Sequence, residues 1–207
     1  MQNETARIEA FSDGIFTIAA TLLVLNLQAP TLNSRKLSSS LLSQWPHYFA
    51  FAVSFVFIGI MWMNHHRLFS LIRKSENTLV ILNLLLLLGV TFVPFPTAVL
   101  ANYLGKPEQR TAAALFNGTF FAIAILFNLL WRYSATHQLH DLDRNEAAAH
   151  ISAQYAVGPA LYLICFVLTW VSVASSLVMN ILLAFYFAIP PYHASRLTHG
   201  HRRLPNQ

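Results

Sequence analysis

Apolar residues in this chain fall into long blocks separated by short polar or proline-containing joins, and the blocks have the length a bilayer demands of a helix. A hydrocarbon core about 30 Å thick takes roughly 20 helical residues to cross. Six blocks answer to that length, at 8–27, 45–63, 78–104, 111–131, 151–173 and 176–192. They predict an all-α membrane protein with six transmembrane helices in a single domain over residues 1–207, the fifth join being as short as 174–176. Pro94 and Pro96 predict a kink or break in the third span, and Pro190 with Pro191 the end of the sixth.

Composition agrees with a membrane setting. Of the 207 residues 56% are apolar and only 10% charged, and the mean hydropathy is +0.50. Soluble domains carry about 25% charged residues. Disorder is excluded by the aromatic content, and a disulfide framework by the presence of one cysteine, Cys165. The formal charge of +5 is spread between the apolar blocks, so it argues for topology and against a nucleic-acid partner. Placing both termini in the cytoplasm puts Arg7, Arg67, Arg73, Lys74, Arg132, Arg144, Arg196, Arg202 and Arg203 inside, leaving Arg35, Lys36, Lys106 and Arg110 outside. That bias satisfies the positive-inside rule, and Trp45, Trp62, Trp131 and Trp170 fall near the predicted span ends, as interfacial anchors do. Glu4 and Glu9 stand where a secretory signal would carry positive charge, so the first span is expected to remain in the mature protein.

The first span carries the unusual chemistry. Its strictly apolar part, 14–27, provides only about 21 Å of helix. The helix is therefore expected to reach back through Phe11, Ser12 and Asp13 towards Arg7, which brings a carboxylate to the edge of the low-dielectric region. An intramembrane charge costs about 2.5 to 3.5 kcal/mol, so Asp13 is expected to be paired, with Arg7 the nearest cation in sequence. The alternative makes Ser12 a helix N-cap, Asp13 a first-turn anion and Arg7 part of a tail. Further on, Ile18, Leu22 and Leu25 lie within about 60° of one another, with Phe11 and Gly14 on the same side and Thr21 beside it. Such a stripe serves ordinary helix packing or the lining of a pore.

Arg7, Phe11, Ser12, Asp13 and Gly14 spell R-x-x-x-F-S-D-G, which resembles the signature of the transmembrane protein 175 family of endolysosomal potassium channels and their bacterial homologues. Ser54, Phe55, Gly59, Trp62, His65 and His66 form a second block, S-F-x-x-x-G-x-x-W-x-x-H-H, similar to that of the bacterial members. The resemblance implies a single-repeat, bacterial inner-membrane channel that assembles as a homotetramer and conducts potassium in preference to sodium. It implies that helix one of each subunit lines the pore, with Ile18 at the constriction, Leu22 and Leu25 continuing the apolar lining, and the Thr21 hydroxyl contributing to selectivity. It also implies a structural polar network of Arg7, Ser12 and Asp13 with Trp62 and His65 or His66. No cofactor is implied beyond permeating potassium ions, and the partners are the bilayer and further copies of the chain.

The residues read alone fit a channel of an unusual kind. No T-V-G-Y-G filter and no arginine ladder is present, so conduction would rely on four apolar stripes gating by dewetting around a common axis. No partnered nucleophile or cofactor fingerprint suggests an enzyme. The main rival is a proton-coupled secondary transporter using Asp13 and a helix-two histidine as a relay. A metal pair at His65 and His66 is disfavoured because adjacent helical residues diverge by about 100°. His137, His140, Asp141, Asp143 and His150 read better as a solvated join than as a cation site, and Asn83, Asn117, Thr119 and Asn128 as interhelical hydrogen-bonding groups.

Overall fold

A bilayer offers no water to an unpaired peptide group, so each segment that crosses it has to close its hydrogen bonds within its own helix. The computed structural model of the chain describes residues 5–30, 36–137, 139 and 145–188, the side chains of 145–154 excepted. Among these residues the chain forms α1 (Ala6–Leu22), α2 (Leu37–Ser43), α3 (Trp45–Leu71), α4 (Asn77–Phe92), α5 (Pro94–Tyr103), α6 (Gln109–Thr136), α7 (Asn145–Val171) and α8 (Val173–Ala188), with no strand. Four stretches are long and apolar enough to cross a membrane: Ala6–Asn26, Trp45–Leu71, Asn77–Tyr103 and Gln109–Thr136. The last two predicted spans correspond to α7 and α8, whose apolar stretches Tyr155–Val171 and Val173–Ala188 are shorter.

The limits of the elements differ from the hydropathy blocks for identifiable reasons. α1 starts at Ala6 behind the buried Thr5, and a 3-10 turn, Leu23–Asn26, continues it. α3 runs eight residues past the predicted end at 63, because Asn64, His65, Leu68 and Phe69 pack inward and no breaker interrupts the helix. The third block is divided at Val93 between α4 and α5. Pro94 cannot donate to the preceding turn, and the Asn26 side-chain amide donates 3.2 Å to the Pro94 carbonyl. The join between α7 and α8 is Ser172 alone. α2, in a stretch read as a polar join, was not foreseen.

Two tryptophans lie short of the ends of their helices. Trp62 stands nine residues before the end of α3, and Trp131 is fully buried in the core. Phe57 on α3 meets Phe120 on α6 with ring centroids 4.6 Å apart, and Phe116 meets Phe120 edge-on at 4.8 Å. α4 approaches α6 closely at Gly89, where a Cβ would stand 2.9 Å from Ile123 Cγ1. Arg35, His140, Asp141, Asp143, Arg144, Pro190, Pro191, Arg196, Arg202 and Arg203, together with the His150 side chain, lie outside the described residues.

Candidate ion pathway

α1 has one covered face and one bare face. Ser12, Phe16, Ala19 and Leu23 are buried, and at 100° per residue they centre about 130° from Ile18. Phe11, Ile18, Leu22 and Leu25 are exposed on the other side, Ile18 at 55% and Leu25 at 69% of its side-chain surface. Gly14, also on this side, has open space where a Cβ would stand. The 3-10 turn matters to the alignment: residues three apart eclipse in that geometry, whereas in an α-helix they are offset by about 60°. Entering the turn from Leu22 therefore swings Leu25 towards the same line.

Thr21 lies exposed beside this stripe, its hydroxyl donating 2.9 Å to the Ile18 carbonyl. The proton is thus committed to the helix. The oxygen lone pairs remain available to accept a hydrogen bond or face a cation. Thr17, also exposed, is held in the same manner, 2.8 Å from the Asp13 carbonyl. It was not singled out in the sequence, and it lines a small hollow between α1 and α3 with Phe16, Phe55, Gly59 and Trp62.

Below the stripe a polar layer joins three helices. Trp62 Nε1 on α3 donates to the Asp13 carboxylate at 2.8 Å. One residue earlier, Ser12 Oγ accepts from Asn83 Nδ2 on α4 at 3.1 Å while donating to the Ile8 carbonyl at 2.7 Å. Asn83 Oδ1 stands 2.9 Å from His65 Nε2, so with this amide orientation His65 carries its proton on Nε2. The His65 ring is sandwiched by aromatics, stacked on Phe69 at 4.4 Å and tilted against Phe16 at 5.4 Å. His66 is exposed and stacks on Trp62 at 6.2 Å.

This geometry corrects two details of the sequence reading. Ser12 is no N-cap: it sits in the second turn of α1 with Thr5 at the cap position. Among the described residues Arg7 forms no pair with Asp13. Six residues is one and two-thirds turns, which sets the two side chains about 120° apart, and Arg7 shares the face of Ile18 instead. Asn83, read only as interhelical glue, is the central link of the layer. Its signal was present in the sequence as an amide in the middle of the most apolar helix, but nothing there named its partners. Among the described residues no group of three or more His, Cys, Asp or Glu side chains converges as a metal site.

Comparison with known proteins now decides the relationship. A potassium channel of Chamaesiphon minutus is 50% identical over 194 residues, covering 91% of this chain and 95% of that protein. The chain belongs to the TMEM175 family. The family profile, described as endosomal/lysosomal potassium channel TMEM175, matches residues 7–94, which hold both signature blocks. A potassium channel of Streptomyces collinus is 41% identical over 189 residues, 89% of this chain and 92% of its own length. The crystal structure of a lysosomal potassium-selective channel TMEM175 homologue from Chamaesiphon minutus superposes with a TM-score of 0.86 at 50% identity, covering 92% of this chain and all of that one. The all-α TMEM175 fold and membership of a family of membrane channels are thereby established for this chain.

Proposed function

We propose that this protein is one subunit of a potassium-permeable channel in which four copies of α1 surround the pore. The observation that carries the reading is the bare apolar face of α1, with Ile18, Leu22 and Leu25 exposed opposite a buried face that fixes the helix to α3 and α4. Four such stripes form a dry collar that ions enter only by partial dehydration, with Ile18 at the constriction. Thr21, its proton committed to its own helix, presents oxygen lone pairs beside the collar and favours potassium over sodium. The polar layer holds α1 in register from behind. Six spans and cytoplasmic termini in a bacterial inner membrane complete the proposal, supported by the positive-inside bias and by the potassium-channel names of the bacterial relatives.

A proton relay between Asp13 and the buried α3 histidine, His65, gains no support from the geometry. Asp13 is bonded to Trp62 and His65 to Asn83, in separate hydrogen bonds. The test is purified protein in a planar bilayer with asymmetric potassium and sodium. Unitary currents reversing towards the potassium equilibrium potential support the channel, whereas slow proton-coupled flux without unitary events removes it.

A further inference from the structure

At the end of α3 a half-buried cation, Arg67, has no counter-charge among the described residues, beside a groove that runs along the outside of the bundle. Val56, Ile60, Met63, Ala184 and Phe185 help to line this apolar groove between α3 and α8, with a volume of about 610 Å³. Residues 56, 60, 63 and 67 follow one face of α3 at helical spacing, so the wall of the groove leads in one turn from Met63 to Arg67. The Arg67 guanidinium donates from Nη1 to Asn64 Oδ1 and from Nη2 to the carbonyl of Ala188, itself a lining residue, both at 3.3 Å. Its partners among the described residues are neutral, and a guanidinium has further N–H donors to spare. The sequence after Ala188 adds Arg196, Arg202 and Arg203 and contains no Asp or Glu.

We propose that this groove binds an anionic phospholipid, with the phosphate on Arg67 and one acyl chain laid between α3 and α8. The dimensions agree: the α3 wall from residue 52 to residue 63 rises about 16 Å, close to the depth of one leaflet of a bilayer core about 30 Å thick. Small residues at Ala52, Gly59, Ala184 and Ala188 leave room for the chain. A lipid covers the apolar walls and brings an anion to the guanidinium with one molecule. A lipid phosphate supplies the missing charge at the membrane edge, where basic side chains gain from anionic headgroups.

Native mass spectrometry of the detergent-solubilised protein, incubated with equal amounts of dioleoyl phosphatidylglycerol and dioleoyl phosphatidylcholine, tests this. The wild type should retain phosphatidylglycerol about fivefold over phosphatidylcholine, as expected of one basic contact near the surface. Arg67→Gln should abolish that preference, and Arg67→Lys should keep part of it. Gly59→Leu, whose added Cβ meets nothing within 4 Å, should fill the groove and lower retention of both lipids. Excess inorganic phosphate should displace neither. Equal retention of the two lipids by the wild type, preference surviving in Arg67→Gln, or displacement by phosphate alone would each overturn the proposal, as would cysteine cross-linking of Ala184→Cys between copies of the chain. Should Arg67→Gln not fold, the wild-type ratio and Gly59→Leu still decide.

Discussion

Two polar clusters lie within the apolar packing of this chain, and they follow opposite rules. In the α6, α7 and α8 cluster, Asn117, Thr169, Ser176 and Asn180 are all buried and neutral. Asn117 Nδ2 reaches Thr169 Oγ1 at 2.6 Å and Ser176 Oγ at 3.3 Å, and Asn180 donates back to Asn117 Oδ1. In the α1, α3 and α4 cluster the inner members Ser12, Asn83 and His65 are buried too, but the adjoining Asp13 is charged and exposed, on the helix whose other face is bare. The first network is neutral and ties α6, α7 and α8 together, with Asn180 Oδ1 the one member atom left without a hydrogen-bond partner among the described residues. The second cluster borders an exposed carboxylate beside an uncovered stripe, and its bonds from Ser12 and Asp13 tie α1 to α4 and α3.

The comparison breaks most readily at Asn117. Asn117→Leu removes the shared amide, while Thr169, Ser176 and Asn180 keep their bonds to the carbonyls of Cys165, Val173 and Ser176. Membrane hydrogen bonds average about 0.6 kcal/mol, and Asn117 bonds Cys165, Thr169, Ser176 and Asn180 across the helices, so the loss of stability should be about 2 kcal/mol. Thermal unfolding in detergent measures it. The reversal potential under bi-ionic conditions should stay where it was, and a shifted reversal potential with unchanged melting would show that the closed cluster does more than hold helices.

The bare stripe should respond in the opposite sense, with function altered and stability kept. Ile18→Asn places a polar group of similar size at the proposed constriction and should lower the dewetting barrier there. A fall of about 1.4 kcal/mol corresponds to a tenfold rise in unitary conductance. Leu25→Asn, in the 3-10 turn, should produce less. If Ile18→Asn assembles normally and conducts as the wild type does, the exposed face of α1 is an interface with lipid or protein and not the gate.

Much of this division was legible in the sequence, and its limits are physical. Period 3.6 on a helix is a local property, so the Ile18, Leu22, Leu25 stripe could be read from spacing alone. The proline break at Val93 and Pro94 could be read for the same reason. Partners are not local. Asp13 bonds Trp62 across 49 residues and Ser12 bonds Asn83 across 71, while the nearby Arg7 faces another way. The end of α3 was missed because His65, His66 and Arg67 look like a polar boundary, whereas Asn83 and the Ala188 carbonyl take up two of those three side chains within the bundle.

The carboxylate end of the open cluster should show a smaller, shared effect. Asp13→Ala and Trp62→Phe each remove the same charge-assisted bond at an exposed site, for which about 1 kcal/mol is reasonable. In a double-mutant cycle on thermal stability the pair should couple by nearly that amount. Asp13→Ala with Arg7→Ala should show no coupling, since the two side chains lie on different faces. Coupling of Arg7 and absence of coupling at Trp62 would reverse the assignment.

The smallest effect is expected at Thr21, and it separates the hydroxyl from the stripe beside it. Thr21→Val keeps the branched shape and removes the oxygen, and the hydroxyl proton was already spent on the Ile18 carbonyl, so the helix loses one local bond at an exposed position. Exposed substitutions of this kind change stability by no more than about 0.5 kcal/mol. In the proposed channel, what goes with the oxygen is a set of lone pairs available to a partly dehydrated cation in four copies around the axis. A drop of about threefold in the potassium to sodium permeability ratio, worth less than ~1 kcal/mol, should appear in the reversal potential while conductance is kept. An unmoved reversal potential would assign discrimination wholly to the apolar collar, and Thr21 would then be one more residue packed against its neighbours.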